Sequence, residues 1–389
     1  MEIDQLDELF AGSRKQAVTS ALKDKKARIL SFYGLAGSSV AMMLASLPKT
    51  KSPSLVIADS QDDAGYIYHD LTMLLDDEQV LMLPSGYKRD IKYGQTDAPS
   101  QILRTEALNR WCGDRPPRFV VTYPEALAER VASRQTISDH TLTLRTDTQS
   151  DMTDTVKWLR NNGFSEVDYV YEPGQFAVRG SILDIFGYSL ELPLRIDFFG
   201  DDIDSIRTFN VETQLSEQRM EEVSVTSNVT LEAYGTSLLE FIAPDTLICV
   251  RDAGFTIDRI RAIASEQFSE SAVIADEGDR NAMRQVVDAD DFATRFNSFR
   301  QIRFTAATQA DTSAQTSIDF KCTPQGIYHK NFDLISDSFK KLLADGYTLY
   351  ILSDSEKQTE RLKVIFADRG DDITFTPVLR TLHDGSVDH

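Results

Sequence analysis

Residues 29–47, ILSFYGLAGSSVAMMLASL, have the form of a strand, a Gly/Ser turn and a helix. The apolar run at 29–33 predicts the strand, and the stretch 40–47 predicts the helix. Further apolar runs follow at 54–58, 80–83 and 119–122, with helical patterns at 64–75 and 100–111 between them. Apolar strands that alternate with helices are typical of a parallel sheet covered on both faces. We therefore expect an α/β domain of the nucleotide-binding shape.

A β-rich segment interrupts this pattern. Residues 150–162 have a helical pattern, and we expect Gly163 to end this helix in the left-handed conformation. We then expect antiparallel strands at 167–171, 176–186, 194–199 and, as the last one, 203–211, separated by turns such as Gly200-Asp201-Asp202. The pattern of alternating strands and helices resumes after about residue 229, with a predicted strand at 246–250 and helical patterns at 257–267 and 289–296. The β-rich segment is therefore predicted to be an inserted domain.

The end of the sequence starts a further unit. The polar run TQADTSAQTS at 308–317 predicts a linker. Beyond it, a helix at 332–343, a strand at 348–352 and a helix at 356–367 begin an α/β unit that stays unfinished, so we expect a piece of a longer protein. The predicted domains are 1–139 and 227–318 as two halves of one α/β domain, 140–226 as the insert, and 319–389 as the start of the next domain.

The composition restricts the function. The 389 residues include 41 Lys and Arg against 61 Asp and Glu, a net charge of −20. This charge disfavours free, sequence-independent binding to DNA or to an anionic membrane, because Lys and Arg supply most of that affinity. Cys112, Cys249 and Cys322 lie far apart, which indicates a reducing, cytoplasmic setting. The five histidines show no metal-ligand spacing, and no run is long enough to span a bilayer.

The turn after the first strand resembles a phosphate loop that lacks its lysine. Gly34, Gly37, Ser38 and Ser39 stand where backbone amides at a helix N-terminus could hold an anion. Hydrolysis of a nucleotide also needs a lysine on the phosphates and a Mg²⁺ ligand, yet the next lysine is Lys49. We interpret the turn as one whose glycines let the helix and the strand pack closely. The alternative is weak nucleotide binding without turnover.

The inserted domain carries a candidate interface. The period of two in LRIDFF places Leu194, Ile196 and Phe198 on one face and Arg195, Asp197 and Phe199 on the other. In FAVRG, Arg179 points away from the face of Phe176 and Val178. Two arginines, a carboxylate and an exposed ring are typical of protein interfaces. The alternative is a solvated sheet face with an Arg–Asp pair worth about 0.2–1 kcal/mol.

These residues also carry a resemblance. GQFAVRGSILDIF at 174–186, followed by PLRIDFFGDDIDSIRTFNVETQLS at 193–216, resembles the UvrB-homology module of bacterial transcription-repair coupling factors, and UvrB is similar there. Weaker likeness covers FYGLAGSS at 32–39, LPSGYKRDIKYG at 83–94, VTYPEALAERV at 121–131 and YILSDSEKQTERL at 350–362.

The resemblance implies a RecA-like domain in two discontinuous halves, with an inserted domain that binds UvrA. The family's interface arginines fall on Arg179 and Arg195, its aromatic contact on Phe199, and the acidic contact of UvrB on Asp197. A further arginine of UvrB is replaced by Ala177, which implies a thinner interface. The resemblance also implies that ATPase motifs and cofactors are absent here. The motor domains, with ATP and Mg²⁺, and the contacts to RNA polymerase and DNA would lie outside this sequence.

Three functions follow as hypotheses. The first is a non-catalytic module that recruits UvrA in transcription-coupled nucleotide excision repair, within a longer ATP-dependent DNA translocase that displaces stalled RNA polymerase. The second is a UvrB-like damage-verification ATPase that works through residues 33–39. The third, a DNA-binding module, is disfavoured by the charge, although Lys88-Arg89, Arg115 and Arg118 are basic and Tyr87 and Tyr93 are candidates for a short DNA-gripping hairpin.

Overall fold

A large sheet is built from strands on both sides of the β-rich segment. Its strands are β1 (Ile29–Tyr33), β2 (Ser54–Ile57), β3 (Val80–Met82), β4 (Phe119–Thr122), β13 (Leu247–Val250), β14 (Arg300–Phe304) and β15 (Thr316–Asp319). In the computed structural model their order is β15–β1–β14–β13–β2–β4–β3. Strand β1 pairs in parallel with β14 and β15, and β13 pairs in parallel with β14 and β2. The predicted α/β fold, with a parallel sheet in two discontinuous halves, is confirmed.

The structure describes residues 10, 12, 14–86, 98–113, 115–146, 148–188, 190–227, 235–271, 286–329 and 331–389. The contacts divide the chain into two compact units, Met1–Leu81 with Asp245–Gly254 and Phe299–His389, and Met82–Pro244 with Phe255–Ser298. The four predicted domain boundaries stay predictions. No helix of the described ranges is both long and apolar enough to cross a membrane.

In the residues that the structure describes, the first unit has α-helices near its start and near its end. They are α1 (Arg14–Lys23), α2 (Ser39–Ser46), α3 (Gln61–Leu74), α11 (Phe332–Ala344) and α12 (Glu356–Asp368). Two small ribbons accompany the last two helices: β16 (Cys322–Pro324) with β19 (Ser386–Asp388), antiparallel, and β17 (Tyr350–Leu352) with β18 (Thr376–Val378), parallel. The helices predicted at 332–343 and 356–367 and the strand predicted at 348–352 are thus present, and whether they begin a separate domain stays a prediction.

The linker prediction was partly wrong. Thr316 and Ser317 belong to β15, which pairs with β1. A strand at the end of a sheet exposes much of its surface, so it needs few apolar residues and can read as a polar loop. Of the four β15 residues, only Ile318 is buried.

The second unit contains the remaining helices and the β-rich sheet. Its helices are α4 (Ala98–Cys112), α5 (Pro124–Ala128), α6 (Arg134–Asp139), α7 (Met152–Asn161), α8 (Leu238–Phe241), α9 (Ala253–Ser271) and α10 (Ala289–Phe296). Its strands are β5 (Thr141–Arg145), β6 (Ser165–Glu166), β7 (Gln175–Arg179), β8 (Ile182–Phe186), β9 (Leu194–Phe199), β10 (Asp202–Phe209), β11 (Ser216–Met220) and β12 (Glu222–Thr226). A six-stranded sheet runs in the order β11–β10–β9–β8–β7–β6, and β5 pairs with β12.

Three details of the β-rich segment differ from prediction. Residues 176–186 are a hairpin rather than one strand, because Gly180 adopts a left-handed φ of 62° and turns the chain between β7 and β8. Residues 167–171 form no strand, and β6 lies just before them, parallel to β7. Residues 203–211 are not the last strand, since β11 and β12 follow β10.

Thiol reactivity tests the position of β13. Burial raises the pKa of Cys249, on β13, to about 12, and burial beside Asp388 raises that of Cys322 to about 11. Cys112 lies at the surface, although burial raises the pKa of its thiol too. We expect a thiol reagent at mildly alkaline pH to modify only Cys112, slowly, in the folded protein and all three cysteines in denaturant. Rapid reaction of Cys249 in the folded protein would place β13 outside the interior of the sheet.

Candidate functional site

The six-stranded sheet has one face that packs on its own core. Phe176, Leu194, Ile196 and Phe198 are buried there with Leu159 of α7, and Val178 packs against them. This is the alternation that the sequence predicted. The opposite face of β7 to β10, which we call the outer face, carries Arg179, Arg195, Asp197 and Phe199.

Asp184 of β8 joins the two predicted arginines. Its carboxylate is almost completely buried and accepts a hydrogen bond from Arg179 Nη2. Arg195, on the neighbouring strand β9, donates two hydrogen bonds to the same carboxylate, from Nε to Oδ1 at 2.8 Å and from Nη2 to Oδ2 at 2.9 Å. These hydrogen bonds raise the pKa of Arg195 above its ordinary value, against the opposing effect of its partial burial. A single buried carboxylate therefore fixes both guanidinium groups.

The two arginines differ in how freely they can meet a partner. Arg195 also donates to the Gln214 carbonyl oxygen at 3.1 Å and to its Oε1 at 3.2 Å, and its guanidinium carbon lies 4.3 Å from the centre of the Phe209 ring. Its side chain is 14% exposed. Arg179 is 32% exposed and lies over the ring of Tyr169. Since a guanidinium has five N–H donors, Arg179 can hydrogen-bond to a second molecule while it stays paired with Asp184.

Asp197 and Phe199 occupy the other end of β9. Asp197 accepts hydrogen bonds from Arg207 of β10 and, at 3.2 Å, from Ser205 Oγ. Phe199 is 82% exposed. Leu215, beside the Gln214 that contacts Arg195, is 68% exposed, and Tyr169 and Tyr171 are also exposed. Apolar surface thus flanks the paired charges, a composition that suits a protein interface.

The outer face is not uniformly solvated. Ala177, Phe186 and Phe209 are buried on it, together with Val170 from the segment between β6 and β7. An arginine at position 177 would have to enter this small cluster. The position at which the resemblance puts a further arginine of UvrB therefore lies in an apolar patch of this chain.

Sequence reasoning missed Asp184, Arg207 and Arg219. The strand register aligns Ala177, Asp184, Arg195, Arg207 and Arg219 as one row across β7 to β11. Asp184 could have been placed on the outer face, because a two-residue turn at Gly180-Ser181 pairs Arg179 with Ile182 and so sets Asp184 opposite Ala177. Its place beside Arg195 comes from the register of β8 and β9. Arg207 could not be placed from the sequence, because a register shift between Ile203 and Ser205 decides its place.

The predicted phosphate loop is a tight turn packed against its own chain. Gly34 and Gly37 have left-handed φ angles of 69° and 53°. Ser38 and Ser39 are buried, and Ser39 Oγ accepts a hydrogen bond from the Ala36 N–H at 2.8 Å. A Cβ at Gly34 would lie 2.7 Å from Asp319 Oδ1. This geometry suits close packing. In the part of the chain that the structure describes, no group of three His, Cys, Asp or Glu side chains is arranged to hold a metal ion.

Of the residues considered for DNA contact, the structure describes only Arg115 and Arg118. Tyr87, Tyr93 and Lys88-Arg89 lie outside the described residues. Arg115 is exposed, and Arg118 lies over the ring of Phe119, with its guanidinium carbon 5.1 Å from the ring centre. The two described arginines form no stripe comparable to the row on the outer face.

Comparison with known proteins finds relatives of this part of the chain. Residues 142–230, which include the whole outer face, match the family model of the UvrB interaction domain. This segment is therefore similar to UvrB interaction domains. It is also 22% identical, over 86% of its length, to transcription-repair-coupling factors of Staphylococcus aureus strains bovine RF122 / ET3-1 and USA300. The factor of Bacillus subtilis strain 168 is 28% identical over 49% of the chain and 16% of its own length.

These matches confirm the resemblance to the UvrB-homology module of transcription-repair coupling factors. The chain spans about a third of the length of the S. aureus relatives, 34% in the alignment. The UvrB interaction domain match begins within β5 and ends after β12, so it covers the six-stranded sheet, the β5–β12 ribbon and α7. Arg179, Arg195, Asp197 and Phe199 all lie inside it.

The Asp184 pairing can be tested by its effect on stability. We expect Asp184→Asn to lower the free energy of unfolding by about 3 kcal/mol, because Arg195 would lose the charge that compensates its burial. The matched change Asp197→Asn should cost about 1 kcal/mol or less, since Asp197 and Arg207 are both partly exposed. Urea unfolding of the two variants measures the difference. Equal losses would show that Asp184 does not organise the outer face.

Proposed function

We propose that this chain is a non-catalytic recruitment module of transcription-coupled repair, and that the outer face of its UvrB interaction domain docks UvrA. The longer protein would act as a coupling factor, with RNA polymerase and DNA contacted through other domains and with ATP and Mg²⁺ used by its motor. The observation that carries the proposal is the pairing of Arg179 and Arg195 by Asp184 beside the exposed ring of Phe199, within the matched domain.

The energetics of this face favour protein docking over a solvated surface. Exposure to water does not stabilise the apolar ring of Phe199, whereas its burial by a partner contributes about 1.5–3 kcal/mol to the binding free energy. Arg179 is held in place by Asp184 and Tyr169, so its immobilisation on binding costs little side-chain entropy. A partner with acidic and apolar surface could then contact both side chains without rearranging the sheet.

The charge distribution agrees with a protein partner. Against a net charge of −20, the row across β8 to β11 has three arginines and one carboxylate. A local positive row on an acidic chain attracts an acidic protein surface and leaves the chain as a whole repelled by nucleic acid.

The docking residues can be tested by titration with UvrA. We expect Arg179→Ala combined with Phe199→Ala to weaken binding by about 3 kcal/mol or more, roughly a hundredfold in Kd, because one anchored charge and one buried ring are lost. The fold should persist, because Asp184 keeps its two hydrogen bonds from Arg195.

A matched control is available on α9. Arg261→Ala combined with Phe255→Ala likewise removes an ion-paired arginine and an exposed ring, but outside the segment that matches the UvrB interaction domain. This control should bind UvrA like the unchanged protein. Unchanged affinity of the Arg179/Phe199 variant, or an equal loss in both variants, would refute the assignment of the docking site.

The absence of catalysis is a separate prediction. Because residues 34–39 contain no lysine, we expect no ATP or GTP hydrolysis above background in a phosphate-release assay, with or without DNA. Turnover that is lost in Ser38→Ala would instead favour a UvrB-like ATPase.

A further inference from the structure

A distant piece of the chain covers the turn at 34–39. The Ser38 N–H donates to the Asp384 carbonyl oxygen at 3.3 Å, and Ser38 Oγ accepts a hydrogen bond from the Asp384 N–H at 2.9 Å. Ser38 is buried. This reciprocal pair holds the peptide of residue 384 at the start of α2, which begins at Ser39.

Helix α3 holds the neighbouring residue. Asp70 is buried, and its Oδ1 accepts a hydrogen bond from the His383 N–H at 2.6 Å. Burial raises the pKa of Asp70, while the hydrogen bonds from Ser38 and from the His383 N–H oppose that shift. The ring of Tyr66 stacks on the ring of His383, with centroids 3.4 Å apart and planes 12° apart. Two helices of the first unit therefore fix the segment.

The contact is too close for any other occupant. A Cβ at Gly37 would lie 2.6 Å from the Gly385 carbonyl oxygen and 3.2 Å from Asp384 Oδ2. In a working phosphate loop, the amides at this helix N-terminus face an anion. Here the Asp384 carboxylate lies beside the same N-terminus, where a negative charge is stabilised.

We propose that the turn at 34–39 is a docking site for the chain's own segment 383–385, which occupies the place that a nucleotide phosphate takes in a phosphate loop. The turn is then closed to nucleotide phosphates by an occupant as well as by the missing lysine. The segment runs directly into β19, which pairs with β16, so the docking also anchors that ribbon. This inference does not depend on UvrA binding by the outer face.

Hydrogen exchange with mass spectrometry tests the docking on the full chain. We expect the amides of 383 and 384 to be protected and to exchange roughly three- to tenfold faster in Ser38→Ala. In that variant the Asp384 N–H loses its acceptor, and Asp70, which accepts from the His383 N–H, loses its hydrogen bond from Ser38. Ser39→Ala is the matched control, because Ser39 is buried in the same turn but its Oγ bonds with the Ala36 N–H and with Cys322 rather than with residues 383–385. Equal acceleration in both variants, or no protection in the unchanged protein, would overturn the proposal.

Competition with phosphate provides a second readout that needs no variant. Tripolyphosphate and Mg-ATP at millimolar concentration should leave exchange at 383–385 unchanged. Faster exchange in their presence would mean that the turn still accepts an anion and that the segment is displaced from it, which would also overturn the proposal.

Discussion

A buried carboxylate between two arginines organises the outer face of the six-stranded sheet. Asp184 is nearly inaccessible to water, so its charge requires compensation, and Arg179 and Arg195 supply it from the two neighbouring strands. The same pairing restricts both guanidinium groups to one orientation. The arginines of the proposed docking surface therefore have a structural role as well, because they compensate the buried charge of Asp184.

The outer face and the turn at 34–39 differ in whether their polar groups are left available. On the outer face, charged groups are held by the sheet and left partly open, as at Arg179. In the turn at 34–39, groups that could hold an anion are satisfied by the chain itself, with Asp384 against Ser38. A site that is open and prearranged can bind a partner, whereas a site whose donors and space are already used cannot.

Much of the fold could be predicted from the sequence because the signals are local. Continuous apolar runs identified β1, β2, β3, β4 and β13 almost to the residue, and the period of two in LRIDFF separated the core side of β9 from its outer side. The weaker cases share a cause. Strand β15 at the end of the sheet is polar, and the hairpin at Gly180 lies within an apolar run, so neither has a clear periodic pattern.

The sequence by itself determined the class of the fold and placed Arg179, Arg195, Asp197 and Phe199 on one face, because alternation in a strand is a property of the local backbone. The tertiary structure alone decided which charges pair. A regular register after the turn at 200–201 would set Asp204 opposite Asp197, whereas the irregularity between Ile203 and Ser205 puts Ser205 there and Arg207 opposite Arg195. Such a shift depends on burying both Ile203 and Ile206 against the core, and that requirement exists only once the strands have packed.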